Sequence, residues 1–121
     1  MGMLQTFQPG DYLIFQIESG YGLLRVLAVD ETADGGVWHL MAYGDLFLDV
    51  EMADAALAGA SPLTVAHPHL ALTTRAFEST QVSRMQNTPL THDELAALQQ
   101  WRTNPNPQVS DRSVRLLMGL R

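Results

Sequence analysis

Residues 11–30 decide the fold of this chain, and they read DYLIFQIESGYGLLRVLAVD. Apolar side chains alternate with others from Leu13 to Ile17, which is the period of a β-strand with one buried face. Residues 23–29 are apolar almost throughout, which predicts a central strand covered on both faces. A Gly-Tyr-Gly sequence between the two runs permits a tight reversal. The stretch therefore predicts an antiparallel hairpin.

Further short apolar runs follow the hairpin. Residues 37–43, 46–50 and 69–77 are expected to form strands, residues 52–58 one or two helical turns, and residues 77–89 a loop. Short connections between strands favour an antiparallel meander, which removes its exposed edges when it curls. The predicted fold class is mostly β (α+β): a small curled antiparallel sheet or SH3-like barrel of about five strands, with two C-terminal helices. We expect a single domain over residues 1–121, with a β-rich part at 1–77.

The two helices are expected within residues 90–118. Thr91 and Glu94 have the spacing of a capping box, and Leu90 and Leu95 flank them as a hydrophobic staple. The first helix is predicted to run to residue 101 or 102. Ser110 is predicted to cap a last helix over residues 111–118.

Composition limits the classes of function. The chain is 46% hydrophobic, has no cysteine or lysine, and carries a formal net charge of −6. Its arginines are scattered, so no nucleic-acid partner is expected, and acidity favours a basic protein partner. The amino terminus lacks the features of a signal peptide and no run is long enough to cross a bilayer. We therefore expect no membrane partner and a cytoplasmic location.

His67 and His69 are the candidate metal ligands. Side chains at positions i and i+2 of a strand point the same way, so two imidazoles could share one metal. A third ligand could come from His39, Asp45 or Asp49 across the sheet. The alternative interpretation is a polar turn between strands, and it is favoured because Pro68 disturbs strand pairing.

Aromatic side chains at turns are the candidate partner-binding residues. Tyr21 is predicted at the hairpin tip, and Tyr43 and Phe47 flank a turn that contains Asp45. Aromatic residues on rigid turns give a large contact area for little lost entropy. The alternative is that Tyr21 folds back over the end of the sheet. Trp38 and Trp101 are expected in the core.

Catalysis is not expected, because no nucleophile stands in a recognisable motif and strand carboxylates such as Asp49 and Glu51 are usually just solvated. The chain is therefore interpreted as a non-enzyme without a cofactor.

The hairpin also resembles the opening of bacterial immunity proteins of the Imm26 type. In both, a Gly-Asp turn leads a strand, and a Gly-Tyr-Gly tip precedes an Arg-Val-Leu strand, here residues 10–17, 20–22 and 25–27. The resemblance covers the first fifth of the chain. It implies a β-rich protein that binds a toxin, and it carries over Asp11, Tyr21, Gly22 and Arg25. Arg25 joins the candidate partner-binding residues on this ground.

The leading functional interpretation is a non-catalytic protein-binding module, with an immunity protein that neutralises a bacterial toxin as its most concrete form. One alternative is a metal- or small-ligand-binding enzyme that uses the His67/His69 region. Another is a structural subunit that self-associates as a homodimer through the apolar last helix.

Overall fold

A computed structural model describes residues 7–32, 35–60 and 62–120. Its strands are β1 (Asp11–Ile17), β2 (Gly20–Asp30), β3 (Val37–Tyr43), β4 (Val65–Thr73) and β5 (Val82–Asn87). They form one antiparallel sheet in the order β4-β3-β2-β1-β5. The prediction of a mostly β, α+β fold with a five-stranded antiparallel sheet is confirmed.

The sheet is open, so the barrel alternative is wrong. β4 and β5 are its two edges and do not pair with each other. A later segment protects the β4 edge, because Ser110 donates to the Ala71 carbonyl at 2.8 Å and accepts from the Thr73 amide at 3.0 Å. β5 carries exposed polar residues such as Ser83 and Arg84, and polar side chains are a common way to discourage edge pairing.

Short helices cover both faces of the sheet. They are α1 (Val50–Ala55), which continues into a π-helical turn (Ala56–Ala60), α2 (Thr74–Glu78), α3 (Ala96–Thr103) and α4 (Val114–Met118). α2 and α4 pack on one face, and α1 and α3 pack on the other. No helix in the described part of the chain has the length and apolar character needed to cross a membrane.

The first face holds the larger hydrophobic cluster. Its buried members come from all five strands and from α2 and α4; they include Leu13, Phe15, Leu24, Val26, Leu40, Leu72, Phe77, Val82 and Val114. Trp38, predicted in the core, is partly buried and packs against this cluster, where it stacks on Phe77 with a ring-centroid distance of 4.0 Å. The last helix, predicted to dock on its own sheet or on a second copy, docks on its own sheet through Val114.

The second face holds a smaller cluster that includes Ile14, Leu23, Leu27, Met41, Tyr43, Ala53 and Leu98. Leu27 forms a bulge, because Val26 pairs with Leu40 and the next pair is Ala28 with His39. A bulge keeps two successive side chains on one face. Leu27 and Ala28 accordingly both pack on the second cluster, whereas Val26 and Val29 pack on the first. The nearly continuous apolar run of β2 thus contributes to both faces, as its sequence predicts.

Three predicted elements differ from those observed. Residues 46–50 do not form a strand: Phe47 makes one bridge to Tyr21, and Asp49 then caps α1 by accepting from the Met52 amide at 2.8 Å. The strand predicted over 69–77 ends at Thr73, whose hydroxyl accepts from the Ala76 amide and begins α2. The loop predicted over 77–89 contains β5, whose polar sequence hid its pairing with β1.

The capping box at Thr91 is confirmed. The Thr91 amide donates to one Glu94 oxygen at 2.8 Å, and the Glu94 amide donates to the Thr91 hydroxyl at 3.2 Å. A turn follows, and the regular helix begins only at Ala96. Ser113, not Ser110, caps the last helix, because its hydroxyl accepts from the Leu116 amide.

Candidate functional site

The predicted partner-binding aromatics lie mostly inside the molecule. Tyr21 is paired within β2, opposite Gln16, rather than at the hairpin tip, which is formed by Glu18 and Ser19. Tyr43 is buried, and Tyr21 and Phe47 pack as partly buried residues on the second cluster. Tyr21 thus folds back over the sheet, which was the alternative to its being an exposed residue that contacts a partner.

Asp45 also has a structural partner, because its carboxylate accepts from the Thr64 amide at 2.5 Å. This hydrogen bond fixes the loop that enters β4 against the loop that leaves β3. None of these side chains is an exposed aromatic anchor, and the exposed apolar residues lie beside them in sequence instead.

Arg25 is buried, with 1% of its side chain exposed. Its Nε donates to the Gly10 carbonyl at 3.0 Å. One terminal nitrogen donates to the Tyr12 hydroxyl at 2.9 Å and to Glu94 at 2.5 Å. The other donates to the Thr88 carbonyl at 2.6 Å and the Pro89 carbonyl at 3.4 Å. A guanidinium has five N–H groups, so all of its donors are used inside the protein.

Arg25 also contacts the ring of Tyr12, and its charge and the local burial shift the pKa values of neighbouring side chains. The Arg25 guanidinium carbon lies 4.1 Å from the centroid of the Tyr12 ring, which is a cation–π distance. Partial burial acts to raise the pKa of Glu94, but hydrogen bonds from Thr91 and the charge of Arg25 outweigh it, so the pKa is lowered. Burial raises the pKa of Tyr43 to about 12. Tyr43 is therefore a neutral phenol at physiological pH.

A cavity of about 720 Å³ opens above this cluster on the second face of the sheet. We call it the tyrosine cavity, because Tyr12 and Tyr43 lie in its floor with a ring-centroid distance of 6.1 Å. Asp93 and Glu94 lie on one side. The remaining wall is mainly apolar and includes Met41, Leu57, Pro62, Leu63, Val65 and Pro68. It is a preformed concave site with a few polar groups, the usual shape of a ligand site.

A chain of polar contacts links β2, β3, β4 and α3 on the same face. His39 Nε2 lies 2.9 Å from an Asp30 oxygen, and His39 Nδ1 lies 2.9 Å from His69 Nε2. Arg102 donates to the other Asp30 oxygen at 2.8 Å, and Trp101 contacts the His39 ring edge-on. Because Asp30 only accepts, His39 carries its proton on Nε2, and His69 then donates to His39 Nδ1.

Both histidines are held in the neutral form. Burial is the largest effect on the pKa of His39 and lowers it, although the contact with Asp30 acts in the opposite direction. Burial, together with the charges of His39 and Arg102, lowers the pKa of His69 to about 4.

The candidate metal ligands His67 and His69 do not share a face. Leu70 pairs with Leu40, but the next pair is His67 with Ala42, so Met41 faces both Pro68 and His69. This bulge turns His67 toward the face of Ala42, whereas His69 contacts His39 on the other face. The expectation that side chains at positions i and i+2 of the strand point the same way is therefore wrong for His67 and His69. No group of three or more metal-binding side chains occurs among the described residues.

Exposed apolar side chains concentrate in residues 45–54, which we call the acidic apolar segment. Leu46, Leu48, Val50 and Met52 are exposed there, and Asp49, Glu51 and Asp54 are exposed between and beside them. No arginine or lysine occurs in residues 26–74. The segment thus combines apolar surface with uncompensated negative charge.

Sequence reasoning missed the segment for a local reason. The mainly apolar run over residues 46–50 predicts a short strand, whereas these residues form a single bridge and the start of a helix. The Phe47 side chain packs inward. Its backbone forms two hydrogen bonds with the backbone of Tyr21, with N···O distances of 2.8 and 2.9 Å. The tyrosine cavity had no sequence signal, because its lining comes from parts of the chain that are far apart in sequence.

No family model matches this chain, and searches of curated proteins and of solved structures found no match.

Proposed function

We propose that the protein is a non-catalytic protein-binding module and that the acidic apolar segment is its contact surface. The observation that carries this proposal is the exposure of four large apolar side chains within seven residues, namely Leu46, Leu48, Val50 and Met52. Exposed apolar patches rimmed by polar residues are typical of protein–protein contacts.

The partner is proposed to be basic. The carboxylates of Glu51 and Asp54 are exposed and form no hydrogen bond or ion pair with other residues that the structure describes, so their charges are available to a partner. The formal net charge of −6 adds a long-range attraction for a positively charged protein. Such complementarity accelerates encounter and makes the association rate fall with salt.

A toxin-neutralising immunity protein is the most concrete form of this proposal. It is supported by the resemblance of the hairpin to Imm26-type proteins, not by contacts of the residues that carry the resemblance. Asp11 accepts hydrogen bonds from Gln8 and Asn87, and Arg25 is buried. In this chain these positions build the sheet, so the toxin would contact the acidic apolar segment instead.

The test uses two leucines of similar exposure on different parts of the surface. Leu48 is 77% exposed in the acidic apolar segment, and Leu116 is 69% exposed on α4. The tagged protein is used to capture partners from cells of the native organism, and the captured protein is then purified for affinity measurements. We expect Leu48→Ser to weaken binding about tenfold or more, as for a contact in the centre of an interface, and Leu116→Ser to have little effect.

The charges are tested on the same purified pair. Glu51→Gln combined with Asp54→Asn should lower the association rate and flatten its dependence on salt, whereas Glu78→Gln on α2 should change neither. A partner that binds the Leu48→Ser protein as tightly as the unaltered chain, or whose association is independent of salt, would contradict the proposal.

A further inference from the structure

The tyrosine cavity is a concave site that the proposed function does not use. Its volume of about 720 Å³ is within the usual range of about 300 to 1,000 Å³ for small-molecule sites. Most of its wall is apolar, so it suits a hydrophobic ring or chain. The polar groups lie together, with Tyr12 and Tyr43 in the floor and Asp93 and Glu94 beside them.

The cavity does not suit an anion. Arg25 is the cation nearest to its polar end, and all five of its N–H groups donate to protein acceptors. An anionic ligand would have to displace Glu94 or a backbone carbonyl from Arg25. No arginine or histidine is among the residues that line the cavity.

The cavity suits a cation. Asp93 is exposed, and its carboxylate forms no hydrogen bond or ion pair with the other residues described. Each Glu94 oxygen accepts one protein hydrogen bond, which leaves lone pairs for a further donor. The Tyr12 hydroxyl accepts from Arg25 and is therefore able to donate its own proton. Two carboxylates against one internally paired guanidinium leave a net negative charge at this end.

From these contacts we propose that the tyrosine cavity is a binding site for an apolar organic cation, that is, a hydrophobic ring or chain that carries an ammonium group. The ammonium group lies against Asp93 and Glu94. The hydrophobic body lies along Met41, Leu57 and Leu63. This site is separate from the contact surface proposed above, because Leu48 does not line the cavity.

The test compares three probes with the same aromatic body and different charge. The full-length protein, labelled with ¹⁵N, is titrated with 2-phenylethylammonium, 2-phenylethanol and phenylacetate at low salt, and its amide resonances are recorded. We expect saturable shifts at the amides of Met41, Leu57 and Leu63, with a Kd on the order of 1 mM for a ligand of this size. The ammonium probe should bind up to about fivefold more tightly than the alcohol, as for a partly exposed ion pair, and phenylacetate most weakly.

Three variants connect the shifts to the proposed contacts. Asp93→Asn keeps the shape of an exposed residue and should bring the affinity of the ammonium probe close to that of the alcohol. Glu78→Gln removes an exposed acid on the other face of the sheet and should preserve the difference. Val65→Trp fills the mouth from an exposed position and should abolish the shifts for all probes.

Three results would overturn the proposal. They are the absence of saturable shifts at the lining amides, binding of phenylacetate as tight as that of the ammonium probe, and a cation preference that Asp93→Asn does not reduce. Because every readout uses small probes, the result does not depend on whether the acidic apolar segment binds a protein.

Discussion

At the scale of single residues, the informative positions are polar side chains buried among apolar ones. His39 is fully buried, and both of its ring nitrogens have partners, Asp30 and His69. A buried imidazole with two partners is a stable structural element, because an unpaired polar group in the interior costs free energy. The same contacts make the pair sensitive to acid.

The first prediction concerns this sensitivity. The pKa of His69 is lowered to about 4 from the usual value of 6.5 for a histidine. Between these values the unfolded chain binds a proton that the folded protein does not, so the free energy of unfolding falls as the pH falls. Between pH 7 and pH 5 we expect a loss of about 1 to 2 kcal/mol from this group, since its ring is only partly buried.

Urea unfolding at pH 7 and pH 5 measures the loss, and two histidines of β4 provide the comparison. His69→Gln removes the titrating ring and should reduce the difference between the two pH values. His67→Gln, on the opposite face of the same strand, should leave the difference unchanged. An equal pH dependence in the His69→Gln protein and the unaltered chain would show that His69 is not responsible.

At the scale of elements, the hairpin of β1 and β2 depends on a close approach between its strands. Gly22 pairs with Phe15, and a Cβ atom at Gly22 would lie 2.6 Å from the end of the Phe15 ring. The Phe15 ring is a buried member of the first cluster, so it could move away only by displacing its neighbours there. Packing against Phe15 therefore requires glycine at position 22. The sequence analysis had instead attributed this glycine to the backbone conformation of a tight turn.

The second prediction follows from this contact. Gly22→Ala should lower the free energy of unfolding by about 1 to 3 kcal/mol, the usual cost of an added methyl group in a filled core. Gly44→Ala is the matched control, because its Cβ would meet Ala66 at an ordinary contact distance of 3.5 Å.

In a Phe15→Leu background, Gly22→Ala should lower the free energy of unfolding by less than it does in the native chain, since the effects of substitutions at contacting residues are not additive. Additive costs in urea unfolding would contradict the proposed clash.

At the scale of the whole molecule, Arg25 connects segments that are far apart in the chain. It joins β2 to Gly10 before β1, to Thr88 and Pro89 after β5, and to Glu94 in the capping box. The side chain that we expected to contact a partner thus joins the turn before α3 to the sheet, and it contacts Tyr12 and Glu94, two of the residues that line the tyrosine cavity.

The third prediction is that Arg25→Met lowers the free energy of unfolding by about 3 to 5 kcal/mol, the typical cost of removing one partner of a buried ion pair. The reason is that Glu94 and three carbonyl groups lose their donor. Arg84→Met is the control, because the side chain of Arg84 is 53% exposed and only its 3.8 Å approach to Asp11 is lost. Urea unfolding measures both, and similar small losses in the two variants would exclude the structural role of Arg25.

The sequence by itself determined the features that depend on neighbours along the chain. The alternation in β1, the apolar run of β2 and the spacing of Thr91 and Glu94 give the hairpin, the sheet class and the capping box, because strand period and helix capping act over a few residues. The same reasoning failed for residues 46–50, whose mainly apolar run matches a strand although only Phe47 forms a β-bridge.

Only the tertiary structure decided the registers and the candidate sites. The bulge at Pro68 separates His67 from His69, and it is visible only when β4 is paired with β3. The tyrosine cavity unites Tyr12, Tyr43 and Glu94, and no sequence spacing relates them. Long-range pairing sets these positions, because a shift of one residue in a strand moves every side chain to the other face.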